Sequence, residues 1–238
     1  MKILLISRYD NLGATSRYRF YQYLPYLHNQ GFNITVSPLL DNTYIQCLYS
    51  GQQANIFKIL RAYAQRIFLL LQSNYYDLIW LEKEAFPWLP QELESILISS
   101  KIPYIVDYDD AWFHRYDLHP SRLVRRFLGK KIDALMRRAA LVIVGNDYLA
   151  ERARLAGARW VEILPTVIDL EKYPISSPPE NEVFTIGWLS TYFSLLKGNT
   201  ISASRNLQRQ YSADSCNRGG RTRIGRCATR NSAVVRGY

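Results

Sequence analysis

The chain has 238 residues, 48% of them apolar and 13% aromatic, and its 30 basic against 20 acidic side chains give a formal net charge of +10. This composition excludes a wholly disordered chain. At roughly 150 residues per domain, the length holds one full α/β domain and a remainder too short for a second of that kind. The charge is lopsided, so a uniformly basic body is excluded as well: residues 191–238 carry Lys197 and eight arginines against Asp214 alone, and 1–190 are nearly neutral.

From the N-terminus the chain runs straight into Ile3-Leu4-Leu5-Ile6, far shorter than a signal-peptide core and followed at once by Ser7-Arg8-Tyr9-Asp10. No stretch approaches the roughly 20 apolar residues of a membrane span. Cys47, Cys216 and Cys227 stand at no spacing that suggests a zinc site or a disulfide framework. These features predict a cytoplasmic protein, soluble or peripheral to the inner face of the membrane.

Residues 3–6 are the first of six short apolar runs; the others are 34–36, 78–81, 104–106, 141–144 and 161–164, with helical patterns between them. Strands alternating with helices need crossover connections, so the order predicts an α/β fold: a Rossmann-like parallel sheet with helices on both faces. The first loop, Asp10 to Arg17, leaves a strand and enters a helix. Gly13 there permits close backbone approach, and a helix N-terminus favours an anion such as a diphosphate. Without a full G-x-G-x-x-G, a plain strand-to-helix turn explains the glycine as well. Arg17 and Arg19, placed at the start of that helix, suit a phosphate or carboxylate, or a solvated surface.

Further along, Ile56, Ile59, Leu60, Tyr63, Ile67, Leu70 and Leu71 fall at spacings of three and four across 54–72, a helix whose stripe is read as core packing. Asp107, Asp109 and Asp110 crowd the end of the strand at 104–106, the edge where open α/β sheets bind ligands. Three acids so close raise one another's proton affinity, which suits a general base or a hydroxyl binder, with Asp110 as the catalytic candidate. The competing reading is structural, through helix capping and pairing with Arg115. His114 follows as a second acid/base candidate or a plain loop residue. No metal ligand set is assigned.

Between Ser121, placed as an N-cap, and Arg138 runs one helix whose stripe is Val124, Phe127, Leu128, Ile132, Leu135 and Met136. Its many arginines and lysines admit peripheral contact with anionic lipid through 121–138, or an ordinary solvated face. Residues 146–156 form another helix, with Gly157 in the C-terminal cap position. Asn146 either caps it or binds a sugar hydroxyl.

After 161–164 come Pro165 and the run Tyr173-Pro174-Ile175-Ser176-Ser177-Pro178-Pro179, which predict a linker over 165–182 and a new strand within 183–190. Beyond Ser190 no glutamate occurs and no apolar period persists, so 191–238 reads as a largely disordered basic tail. Its arginines could touch phosphates without preference, yet it lacks interleaved aromatics, so no specific nucleic acid is expected.

Three stretches carry a resemblance: Ile102-Pro103-Tyr104-Ile105-Val106-Asp107-Tyr108-Asp109-Asp110-Ala111, Val142-Ile143-Val144-Gly145-Asn146-Asp147-Tyr148-Leu149-Ala150, and Leu164-Pro165-Thr166-Val167-Ile168-Asp169. In this order they resemble family-4-type GT-B glycosyltransferases, and the match spans 1–190, about four fifths of the chain. The resemblance implies that 1–164 is the acceptor-side domain of a two-domain enzyme. Such an enzyme transfers a sugar from a nucleotide-sugar co-substrate to a hydroxyl on a glycan or lipid-linked acceptor, without a further cofactor. Read from the residues themselves, the candidates for substrate contact are Gly13, Arg17, Arg19, Asp107, Asp109 and Asn146, and the catalytic candidates are Asp110 and His114. The family's second domain grips the donor with a glutamate pair, whereas this chain has no glutamate after Glu182. A reading-frame shift near 189–191 accounts for that departure and predicts an inactive fragment; the alternative is a noncatalytic glycan- or partner-binding domain.

Overall fold

The computed structural model of the chain describes residues 1–53, 55–98, 102–172, 185–187 and 200–202. The chain divides into two units, Met1–Ile175 and Ser176–Tyr238. In the first, the six apolar runs become β1 (Lys2–Tyr9), β2 (Asn33–Leu40), β3 (Leu78–Glu82), β4 (Tyr104–Tyr108), β5 (Leu141–Val144) and β6 (Val161–Ile163). They form a single sheet in the order β2-β1-β3-β4-β5-β6, with every neighbouring pair parallel. The expected Rossmann-like arrangement is therefore present.

Alternation along the strands divides the core in two. Ile3 and Leu5 of β1 pack with Phe20, Ile34 and the neighbourhood of α1 (Ala14–Arg19) and α2 (Leu24–Asn29). Leu4 and Ile6 point the other way, into a larger cluster with Ile79, Leu81, Val106, Val142 and Val144. That second face is covered from α4 (Ile56–Leu71), which follows α3 (Asn42–Tyr49), and from α5 (Gln91–Leu97), α8 (Lys131–Arg138) and α9 (Asp147–Leu155). Between β4 and β5 the chain also forms α6 (His114–Asp117) and α7 (Arg122–Leu128).

Two helical expectations are corrected. The single helix foreseen over 121–138 is two, α7 and α8, broken at Gly129. Gly129 keeps right-handed helical backbone and donates to the Arg125 carbonyl at 3.0 Å, so close that a Cβ would meet that oxygen at 2.3 Å. Ser121 stands at the N-cap of α7 but makes no capping hydrogen bond. The second correction concerns α4: the expected stripe was to be core, yet Ile56, Leu60 and Leu71 lie on the surface while Leu70 is buried.

The helix expected at 146–156 is α9, with Gly157 at φ +86 in the left-handed conformation that ends it. In the second unit, Thr185–Gly187 forms β7 within the predicted strand. It pairs antiparallel with β8, Thr200–Ser202, where no periodicity had predicted a strand. The readings of 173–182 as linker, and of the rest of 191–238 as disordered tail, lie outside the described residues. The start of that linker is anchored to the first unit: Gln22 Nε2 donates to the Val167 carbonyl at 2.9 Å.

Candidate functional site

The chain leaves β1 for β2 on one side and returns to β3 on the other, so the strand order reverses between β1 and β3. Open parallel sheets place ligands in the crevice at the C-terminal ends of the strands beside such a reversal. Here those ends carry a compact set of charges on β3, β4 and the first loop.

Glu82 ends β3 and pairs in register with Asp107 of β4, which sets two buried carboxylates side by side. Glu82 accepts hydrogen bonds from the Ser16 hydroxyl at 2.7 Å and the Arg8 backbone N–H at 2.9 Å, and Asp107 accepts from Arg19 Nε at 2.9 Å. Arg19 is itself buried; besides Asp107 it reaches the Leu164 carbonyl, so one guanidinium ties α1, β4 and the end of β6 together. Burial pushes Asp107 up to about 7 despite the opposing attraction of Arg19. Burial also raises Glu82, against the two hydrogen bonds it accepts. Among the described residues, Glu82 Oε1 and Asp107 Oδ2 have no hydrogen-bond partner.

One step outward, Lys83 bridges Asp109 at 2.9 Å and Asp110 at 3.0 Å, and the Thr15 hydroxyl donates to Asp109 at 2.7 Å. Asp109 is pushed up by burial, but Lys83 and these hydrogen bonds win and hold it below its ordinary value. Lys83 is lifted: burial opposes its charge, and the two aspartates outweigh that. The Asp110 side chain stays 55% exposed at the rim. Both Lys83, at φ 61, and Trp88, at φ 67, hold the left-handed conformation that side chains disfavour, within the same loop after β3.

Beside this cluster, Trp112 is ringed by cations. Arg8, Lys83 and Arg115 stand 4.5, 4.7 and 4.7 Å from its ring, and Arg115 also stacks 4.6 Å over Trp88. Trp112 Nε1 donates to Glu84, which also accepts from the Tyr116 hydroxyl and pairs with buried Lys131 at 2.7 Å. The edge thus offers hydroxyl acceptors at Asp109 and Asp110 next to guanidinium and indole surfaces, a set suited to sugar hydroxyls and anionic groups. A separate groove of about 400 Å3, lined by Leu40, Tyr44, Cys47, Lys58 and Arg61 among others, lies at the end of β2 and includes none of these carboxylates.

The residues nominated from sequence divide on this geometry. Asp107, Asp109, Asp110 and Arg19 come together and each acid has a cationic partner; Asp107 is raised to about 7 chiefly by burial, with the neighbouring Asp109 charge adding to the rise. Arg115 pairs with the tryptophans rather than with the aspartates. Arg17 and Arg19 occupy the last turn of α1, not its start, and Arg17 stacks on Tyr18 at 4.8 Å. Gly13 caps α1 where a Cβ would strike Tyr9 at 2.5 Å, so a tight turn already requires glycine there. Asn146 caps α9, accepting from the Leu149 N–H at 3.0 Å. His114 is held at both ring nitrogens, by Asp117 at 2.9 Å and by the Tyr148 hydroxyl at 2.7 Å.

Glu82, Lys83, Thr15 and Ser16 belong to the cluster and were not foreseen. The signal for two of them was Glu82-Lys83-Glu84 directly after an apolar strand, three charges at the ligand edge of the sheet. Among the described residues no group of histidine, cysteine, aspartate and glutamate side chains is placed to hold a metal ion, and no helix is long and apolar enough to cross a membrane. Compared with known families and with curated proteins, the chain matches no family model and no curated sequence.

Proposed function

We propose that the first unit is the acceptor-side half of a GT-B glycosyltransferase and that this chain, lacking a donor-binding half, does not complete sugar transfer. The observation that carries the reading is Asp110 at the rim of the switch-point edge, ion-paired to a buried lysine and open to solvent. In the intact parent, the acceptor hydroxyl donates its hydrogen bond to Asp110. As its oxygen bonds to the anomeric carbon of the donor sugar, the proton passes to Asp110 and the bond to the nucleoside diphosphate breaks. Asp109, held below its ordinary value by Lys83 and Thr15, serves to orient hydroxyls. Asp107 and Arg19 lie beneath, supporting the loop that carries them.

The test is binding and turnover measured on the same preparation. The chain should bind an oligosaccharide acceptor saturably without consuming nucleotide-sugar. The substitution Asp110→Ala should weaken that binding roughly tenfold, the effect of losing one charge-assisted hydrogen bond. Clear turnover by this chain, or binding indifferent to Asp110→Ala, would overturn the reading.

A further inference from the structure

The helix α4 spans 16 residues, about 24 Å at 1.5 Å per residue, and its rotation is fixed from within. Leu70 is buried in the core, with Tyr63 and Ile67 packed against it. Arg66, fully enclosed, donates to the carbonyls of Ser7, Ser37 and Ala85 at 2.9, 2.7 and 3.3 Å. Those carbonyls belong to β1, β2 and the loop after β3, so α4 cannot roll without leaving a buried guanidinium unpaired.

With that side anchored, the opposite side is apolar and bare. Phe57 is 77% exposed, Leu60 59%, Phe68 64% and Leu71 63%. With exposed Ala64 between them they follow one another at three, four, four and three residues, a continuous stripe along the whole helix. Ile56 at the start of the helix and Tyr75 in the turn that follows it are exposed as well. A helix apolar on all sides is ordinarily enclosed, and a patch of this extent marks an interaction surface.

Charge selects the occupant. From Asn42 to Tyr76 the chain has no aspartate or glutamate, and its surface cations on α4 are Lys58 and Arg61. A second copy laid on the stripe would bring like charges and no carboxylate to meet them. An anionic bilayer surface supplies both phosphates for the cations and an acyl boundary for phenylalanine and leucine, with tyrosine at headgroup level. The helix is too short to span, so it lies in the plane. We infer that α4 is an interfacial helix that seats the domain on an anionic membrane surface.

This surface is distinct from the basic stretch 121–138, and it stands without the sugar-transfer reading. Where that reading also holds, the carbonyls gripped by Arg66 put α4 beside the carboxylate edge, and the acceptor is a lipid-borne hydroxyl.

The experiment is sedimentation of the full chain with vesicles of two parts phosphatidylcholine to one part phosphatidylglycerol. The double variant Phe57→Ser/Phe68→Ser leaves every charge in place, so the arginines of 191–238 cannot account for any loss. We expect it, and independently Leu60→Gln/Leu71→Gln, to lower vesicle binding roughly tenfold or more, since each removes two large buried-on-binding side chains. The thermal midpoint should not fall, and Leu123→Ser/Phe127→Ser on α7 should bind as the parent does. The inference fails if the parent does not sediment with these vesicles or the α4 variants bind undiminished. It fails equally if α4 substitution abolishes a dimer seen without lipid, which would give the stripe to a second copy. None of these outcomes depends on glycan binding at Asp110.

Discussion

Asp107 lies against a guanidinium and is still a weak acid, because burial outweighs Arg19. Its folded value of about 7 lies above the ordinary 3.8 it regains on unfolding. Its contribution to stability is therefore complete below about pH 4, and it is lost as the pH rises through about 7, because the unfolded chain releases this proton first. Unfolding in urea at about pH 5 and about pH 8 checks this: the parent should lose stability between the two, and Asp107→Asn should lose measurably less. Asn146 poses a simpler question. If its role is the cap seen on α9, Asn146→Ala costs about 1 kcal/mol in urea unfolding and leaves oligosaccharide binding unchanged. The nominated acids were legible because aspartates after an apolar strand fall at the ligand edge. Lys83, which bridges two of them, was not, nor were buried Arg66 and Lys131: nothing local marks these three as buried, since each is held by carboxylates or carbonyls distant in sequence.

At the scale of elements, all six parallel strands were legible because a strand covered on both faces reads as a short unbroken apolar run. Helix boundaries depended on tertiary contacts. The break at Gly129 is invisible in the periodicity of 121–138, which continues across it; the glycine itself stays helical, with the Arg125 carbonyl where a Cβ would lie. Gly129→Ala should therefore cost about 1–3 kcal/mol in urea unfolding, the range for forcing atoms into a filled site. A change within a few tenths of a kcal/mol would show that the turn relaxes freely. The outward stripe of α4 was hidden for a different reason. When a helix is apolar nearly all round, periodicity shows that it is helical but does not choose which side faces the sheet; buried Arg66 makes that choice.

Across the whole molecule, a nearly neutral α/β unit is joined to a segment with an excess of eight positive charges and no glutamate. The first unit has the sheet, the switch point and a charged edge suited to hydroxyl acceptors. After 190 the sequence has no glutamate to form a donor-gripping pair, which is why sugar transfer is proposed for the parent rather than for this chain. The most direct measurement is the nucleotide sequence downstream of codon 188, read in all three frames. A shifted frame that stays open and encodes a glycine- and serine-containing turn, a helix and a glutamate pair is the predicted result. If neither alternative frame stays open, or an open one encodes none of these, the account of a glycosyltransferase cut short is contradicted.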